Sequence, residues 1–212
     1  MYKILEKTQF SEKVFKFRIE APEMAKHAHA GQFLMVRANE TGERVPFTFA
    51  DWNPEEGWVE FIFMVIGKTT EMLSTYEVGD AIQDVTGPLG QPTEMGEGNW
   101  AVIGGGVGLA IAFPVARQLK ATGHEVHAIM GARTKDLLLL EEQFRSVLDD
   151  EHIHITTDDG SYGEKGVVTA PLERLLQEKK VDHVFCVGPV PMMKFSALTA
   201  EKYDTPIIAS LN

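Results

Sequence analysis

The chain has one cysteine, Cys186, among its 212 residues. An internal disulfide is therefore excluded, and these residues cannot supply the four thiolates of an iron-sulfur cluster. Positive charge is also scarce. Lys and Arg number 20 against 31 Asp and Glu, giving a formal net charge of -11. That balance argues against a surface that neutralises many nucleic-acid phosphates, while leaving room for a local basic pocket. No apolar run approaches the roughly 20 residues that a membrane-spanning helix needs. The opening MYKILE is charged and alternating, unlike a secretory leader, so a soluble, cytoplasmic protein is expected. The seven histidines are scattered. His27/His29 and His152/His154 are the close pairs, at strand-like i, i+2 spacing with no third ligand nearby in sequence, and no metal site is expected.

What is present is enough apolar material, 44% of residues, to bury one large core or two smaller ones. Up to about Gly98 the pattern has period two: Phe15, Phe17 and Ile19 alternate with Lys16 and Arg18, and Val59, Phe61, Phe63 and Val65 share a face. Turn signals at Ala30-Gly31, Glu40-Thr41-Gly42, Asn53-Pro54-Glu55, Gly79-Asp80 and Gly87-Pro88 punctuate these strands. A small antiparallel barrel over residues 1–98 is expected, interrupted by one short helix over residues 69–76. Beyond it, short apolar runs alternate with helical segments. Strands are expected at 100–103, 124–131, 152–156, 181–187 and 206–210, and helices at 107–121, 137–148, 169–179 and 191–202. That order predicts an α/β domain over residues 99–212, a doubly wound parallel sheet whose ligand site lies at the carboxyl ends of its strands.

The strongest chemical signal is Gly104-Gly105-Gly106-Val107-Gly108, directly after the first strand of the second domain and opening its first helix. Glycines there allow a tight turn and close approach to a pyrophosphate, and the helix amino terminus offers unpaired N–H groups. The spacing departs from GxGxxG because Leu109 stands at the third glycine position. A tight strand-to-helix turn without ligand is the competing reading. Arg133 follows the second strand on the same rim and offers a guanidinium for a phosphate. Asp159, after the third strand, offers a carboxylate to ribose hydroxyls and repels a 2'-phosphate. The two signals leave NAD against NADP open, and solvated loop charges remain an alternative for both. Cys186-Val187-Gly188-Pro189-Val190-Pro191-Met192 ends the fourth strand as a candidate wall for a nicotinamide ring, with Cys186 equally readable as inert core filling.

In the first half, Arg44-Val45-Pro46-Phe47-Thr48 puts a cation, a stiffening proline and a hydroxyl on one extended segment. Arg44 could hold a diphosphate and Thr48 the polar edge of a flavin ring; an ordinary edge strand with an exposed arginine is the alternative. Gly67-Lys68-Thr69-Thr70 leads into the short helix and offers amides and hydroxyls for a second diphosphate contact. It lacks the upstream glycine spacing of a P-loop.

In chain order, Gly31-Gln32-Phe33, Arg44 to Thr48, Gly67 to Thr70, GPLG at Gly87 to Gly90, GGGVG at Gly104 to Gly108 and CVGP at Cys186 to Pro189 resemble the ferredoxin-NADP reductase superfamily over essentially the whole chain. Within it, GERVPFT, VIGKTT, GARTKDLLLLEEQF, DDGSYGEKG and ASLN are most similar to the small subunit of NADH-dependent ferredoxin:NADP oxidoreductases, also called sulfide dehydrogenases, and to electron-transfer subunits of dihydroorotate dehydrogenase.

The resemblance implies an FAD-binding barrel followed by an NAD(P)-binding domain, hydride transfer between NAD(P)H and FAD with Thr48 beside the reacting ring, and a larger redox partner with flavin or iron-sulfur centres. It also implies FAD contacts at Arg44, Pro46, Phe47, Thr48, Ile62, Phe63, Met64, Gly67, Lys68, Thr69 and Thr70. Nucleotide contacts are implied at Gly105, Gly106, Val107, Gly108, Arg133, Asp159, Gly188, Pro189 and Met192. This chain departs from the pattern in having Ile111 where many reductases have proline, with Pro114 a little later. Relatives also continue past ASLN into a cysteine-rich stretch holding a [2Fe-2S] cluster; its ligands are absent from these residues, and no cluster is expected on them. A non-catalytic assembly subunit and a free-standing flavin reductase are the alternative functions.

Overall fold

The computed structural model describes residues 1–211; Asn212, the last residue of the ASLN stretch, lies outside them. The chain divides into two compact units, Met1–Thr93 and Glu94–Asn212, parting a few residues ahead of Gly98.

The first unit contains strands β1 (Tyr2–Ser11), β2 (Val14–Glu20), β3 (Phe33–Arg37), β4 (Arg44–Asn53), β5 (Trp58–Met64), β6 (Ala81–Ile82) and β7 (Asp84–Leu89), with helices α1 (Pro22–Ala25) and α2 (Lys68–Ser74). They form one antiparallel sheet in the order β6-β1-β2-β5-β4-β3-β7. Its two edge strands, β6 and β7, are separated in the chain by Gln83 alone, so the sheet has to curl until its edges approach. The expected barrel is therefore a curled half-barrel, whose edge strands are not ladder neighbours. The period-two pattern explains its core. Phe17 stands opposite Phe61 and Phe15 opposite Phe63, and their inward rings meet at centroid distances of 5.2 to 5.9 Å. Each buried ring contributes about 2–3 kcal/mol. Helix α1 was not expected, because four residues are too short to show a 3.6-residue period; Pro22 supplies the helical φ at its start.

The second unit contains β8 (Trp100–Gly105), α3 (Leu109–Ala121), β9 (Val126–Ala132), α4 (Glu141–Val147), β10 (Ile153–Thr157), β11 (Glu164–Lys165), α5 (Thr169–Gln177), β12 (His183–Val187), α6 (Val190–Glu201) and β13 (Ile207–Ser210). The sheet order is β11-β10-β9-β8-β12-β13, parallel throughout. Strand order reverses at β8, which has β9 on one side and β12 on the other. The carboxyl end of β8 is thus the switch point at which such sheets open a ligand crevice. Every residue of β8 is buried, as expected of a parallel strand covered on both faces. Ala101 and Ile103 pack with Ile129, Val184, Leu172, Leu175 and Met193 in one apolar cluster shared with α5 and α6. Cys186 lies in that cluster, fully buried, and burial pushes its thiol up to about 11. It is core filling and not a nucleophile.

Two segments differ from the sequence expectation. Residues 137–148 do not form one helix. A 3-10 turn over Lys135–Leu137 is followed by Leu140 in the left-handed region at φ 62°, and α4 runs only over Glu141–Val147. Burial of Leu139, Leu140 and Phe144 at 6, 8 and 0% exposure offsets the strain of that turn. The sixth strand, β11, is two residues long, too short to alternate, and arises where the loop after β10 folds back to pair Glu164 with Thr156.

Helix α3 also starts later than Val107, because Gly106–Gly108 winds as one 3-10 turn ahead of it. Leu109, at the third glycine position, is fully buried. A Cβ on Gly104 would lie 2.7 Å from the Leu109 side chain, so Gly104 makes the room that Leu109 fills. Leu109→Ala is expected to cost about 2–4 kcal/mol through the cavity it leaves, read as a lower urea midpoint for the second unit by far-UV circular dichroism. An unchanged midpoint would show that Leu109 carries no packing load.

Candidate functional site

Along β4, Val45 and Phe47 pack toward the aromatic core, while Arg44 and Pro46 are exposed and Thr48 is half-buried on the other face. Phe47 stacks on Phe61 at 5.0 Å, within 10° of parallel, and lies 5.7 Å from Phe63. The ring of Phe63 is therefore committed to the core, whereas Phe47 packs on that core while staying partly exposed. The ladder to β5 begins at Phe49, whereas residues 44–48 pair with β3. A proline is tolerated at Pro46 for that reason: this half of β4 is locally an edge, although the strand as a whole is interior. Past the core residue Phe63, β5 ends with Met64 exposed; Ile62, 7% exposed, lies on the face opposite Phe61 and Phe63.

Register also explains what holds Arg44. Arg44 pairs across β3 with Arg37, and Arg37 pairs with Asp84 on β7, so one cross-strand row carries two guanidinium groups and one carboxylate. Arg44 forms an ion pair with Asp84. The nearer Arg37 nitrogen lies 3.8 Å from the same carboxylate, and the buried Arg37 Nε has no hydrogen-bond partner. The row has an excess positive charge and a buried donor in need of an acceptor, which fits a diphosphate. Sequence reasoning missed Arg37 and Asp84, whose only signal was their place on strands not yet paired.

In the Gly67-Lys68-Thr69-Thr70 stretch, the Thr70 hydroxyl accepts from the Ile66 and Gly67 amides, both at 3.0 Å, and donates to the Gly67 carbonyl at 2.9 Å. It shapes the turn and is not available to a ligand. Lys68 is exposed, Thr69 is partly so, and their amides open α2 without intrahelical acceptors. A separate link joins two motifs far apart in sequence: the buried Gln32 side chain donates to the Gly90 carbonyl at 3.1 Å, tying GQF to GPLG.

In the second unit, the glycine loop and the loop after β12 touch. A Cβ on Gly105 would lie 2.4 Å from Met192 Sδ and 3.2 Å from Pro189; one on Gly108 would lie 2.5 Å from the Val187 carbonyl oxygen. Gly188, at φ 152°, sits 3.1 Å from the Gly105 nitrogen by the same measure. Gly105, Gly108, Gly188, Pro189 and Met192 thus form one floor at the carboxyl ends of β8 and β12. Gly106 has φ 56°, in the left-handed region, and a side chain there would project into open space; Val107 beside it is half-buried. Backbone turns toward the crevice with nothing protruding from it, the requirement for close approach to a pyrophosphate.

Arg133 and Asp159 are brought together on neighbouring loops. The Asp159 amide donates to the Arg133 carbonyl at 3.3 Å, and the Lys135 amide to the Ser161 hydroxyl at 2.9 Å. The Asp159 carboxylate accepts from the Ser161 amide at 2.9 Å. Hydrogen bonding from Ser161 holds that carboxyl below the usual range, so it is ionised at neutral pH. Arg133 is exposed.

Comparison with known proteins agrees with this geometry. Residues 1–93 match the oxidoreductase FAD-binding domain family and residues 102–197 the oxidoreductase NAD-binding domain family. The chain is 45% identical to the dihydroorotate dehydrogenase B (NAD(+)) electron transfer subunit homolog of Thermotoga maritima over 210 residues, 99% of this chain and 73% of the relative. It is 32% identical to the dihydroorotate dehydrogenase B (NAD(+)) electron transfer subunit of Shouchella clausii, covering 98% of this chain and 80% of that protein. A solved structure of NADH-dependent reduced ferredoxin-NADP oxidoreductase superposes with TM-score 0.92 at 43% identity, over 100% of this chain and 76% of the other. Among the described residues no helix is long and apolar enough to cross a membrane. On the strength of these similarities the chain belongs to the family of dihydroorotate dehydrogenase B electron transfer subunits and their homologues, oxidoreductases with an FAD-binding and an NAD-binding domain.

Proposed function

We propose that this chain moves a hydride between NAD(P)H and its own FAD and exchanges electrons with a larger subunit that carries flavin or iron-sulfur centres. The observation that carries this reading is that each unit has one arrangement whose charge or open backbone suits a diphosphate. In the first it is the Arg37-Arg44-Asp84 row, and in the second the floor of Gly105, Gly108 and Gly188 at the strand-order switch. Arg44 and Arg37 would neutralise the FAD diphosphate, the amides of Lys68 and Thr69 would add donors, and Thr48 would hold the polar edge of the isoalloxazine. Met192 and Pro189 would bound the nicotinamide. Bound FAD supplies hydride acceptance and the passage from two-electron to one-electron transfer. The protein positions the two rings and keeps water away, so no acid or base is assigned. The relatives' names, electron transfer subunits, support a partner downstream.

Between the two charges on this rim we take Asp159, rather than the exposed Arg133, to decide in favour of NAD(H): its carboxylate would repel an adenosine 2'-phosphate bound there.

The reading is tested by an anaerobic visible spectrum of the purified chain before and after NADH or NADPH. Bleaching of a flavin band is expected with NADH. A colourless protein that stays colourless when FAD is supplied would instead make it a non-catalytic assembly subunit, and turnover only with added free flavin would make it a free-standing flavin reductase. Arg44→Ala is expected to weaken FAD retention by roughly 10- to 100-fold, the worth of a charge-assisted contact; unchanged flavin-to-protein ratio after gel filtration would overturn its role. Asp159→Asn is expected to shift the kcat/KM ratio toward NADPH about five- to tenfold, as removal of one like charge near the surface would. An unmoved ratio would place the ribose elsewhere.

A further inference from the structure

At the amino ends of the second unit's strands, opposite the nucleotide edge, Glu125, His127, His152 and His154 converge. The pairing of Ile153 with Ala128 and of His154 with Ile129 sets His152 beside His127 on one face, with Glu125 two residues before His127 on that face. The i, i+2 spacing of His152 and His154 thereby gains partners from a strand more than 20 residues earlier in the chain. One ligating atom from each of Glu125, His127 and His152 lies within 4.8 Å of the others.

Glu125 Oε1 is 3.4 Å from His127 Nε2 and 3.8 Å from His152 Nε2. A zinc ion at about 2.0–2.1 Å from tetrahedral ligands separates them by about 3.3–3.5 Å, so these two edges nearly match. His127 is 4% exposed, and its Nε2 is buried without a hydrogen-bond partner, as is His152 Nδ1. His127 Nδ1 is hydrogen-bonded to His154 Nε2 at 3.2 Å. A ring nitrogen tied to a neighbour while the other faces a carboxylate is the arrangement that orients a metal-bound imidazole. Lys180 and Arg174, whose charges reach the cluster, are themselves ion-paired with Glu178 and Glu164.

We propose that Glu125, His127 and His152 form a zinc site that ties the amino ends of β9 and β10 together, with His154 orienting His127. Two imidazoles and one carboxylate form an established zinc ligand set. Three protein ligands leave the fourth zinc position to water, and the location opposite the glycine floor keeps the site separate from hydride transfer.

The test uses the flavin-loaded protein, stripped by dialysis against a chelator and then titrated with zinc chloride alone, followed by calorimetry and by elemental analysis after desalting. About one zinc per chain is expected, with a raised Tm. Glu125→Gln and His152→Asn, both at partly exposed positions, are expected to weaken binding at least ~tenfold while NADH reduction of the flavin is unchanged. Failure of the wild-type protein to retain zinc, or equal retention by both variants, would overturn the site.

Discussion

The second unit is organised around a contact that no Cβ would permit. The end of β8 and the loop after β12 approach so closely that a Cβ on Gly108 would lie 2.5 Å from the Val187 carbonyl oxygen, and one on Gly105 would displace the Met192 side chain. Parallel strands side by side at the point of order reversal bring their following loops to one edge, and each loop then has to turn away in an opposite direction. Glycine lets both do so within contact distance. The same economy of volume operates one residue earlier, where Gly104 yields space to Leu109, so that a departure from the usual dinucleotide spacing becomes a well-packed helix start rather than a damaged one.

In the first unit the proposed diphosphate site rests on charge and not on shape. Its interior is a conventional aromatic core, with Phe15, Phe17, Phe47, Phe61 and Phe63 in mutual contact. That core determines which way β4 presents its residues: with Val45 and Phe47 inward, Arg44, Pro46 and Thr48 turn outward. Asp84 then holds Arg44 in place while leaving the row with positive charge in excess. A guanidinium already ordered by a carboxylate loses less freedom when a phosphate arrives, at the cost of competing with that carboxylate.

Fold class, the alternation that builds each core and the order of motifs were legible in the sequence because they depend on local period: two in the curled sheet, short apolar runs alternating with helical segments beyond it. The glycine loop was legible for the same reason, since it falls between a strand and a helix. Elements of about one period were not, and α1 and β11 were missed. The stretch of leucines before α4 reads as helix by composition, yet the chain turns through φ 62° at Leu140 to bury two of them; a packing demand overrode local propensity.

By itself the sequence determined that two domains alternate in these ways, that a backbone-lined turn follows β8, and that Arg44 and Thr48 lie on a strand beside a proline. Only tertiary structure decided the partners. Arg37 and Asp84 join Arg44 through the register of three strands, Thr70 is consumed by its own turn, and Phe47 packs on the aromatic core while staying partly exposed. His127 and Glu125 meet His152 because β9 and β10 are neighbours in parallel register. The physical reason is common to all of these: a side chain's chemistry follows from what stands across the sheet from it, and pairing between strands distant in the chain leaves no mark in the spacing of either one.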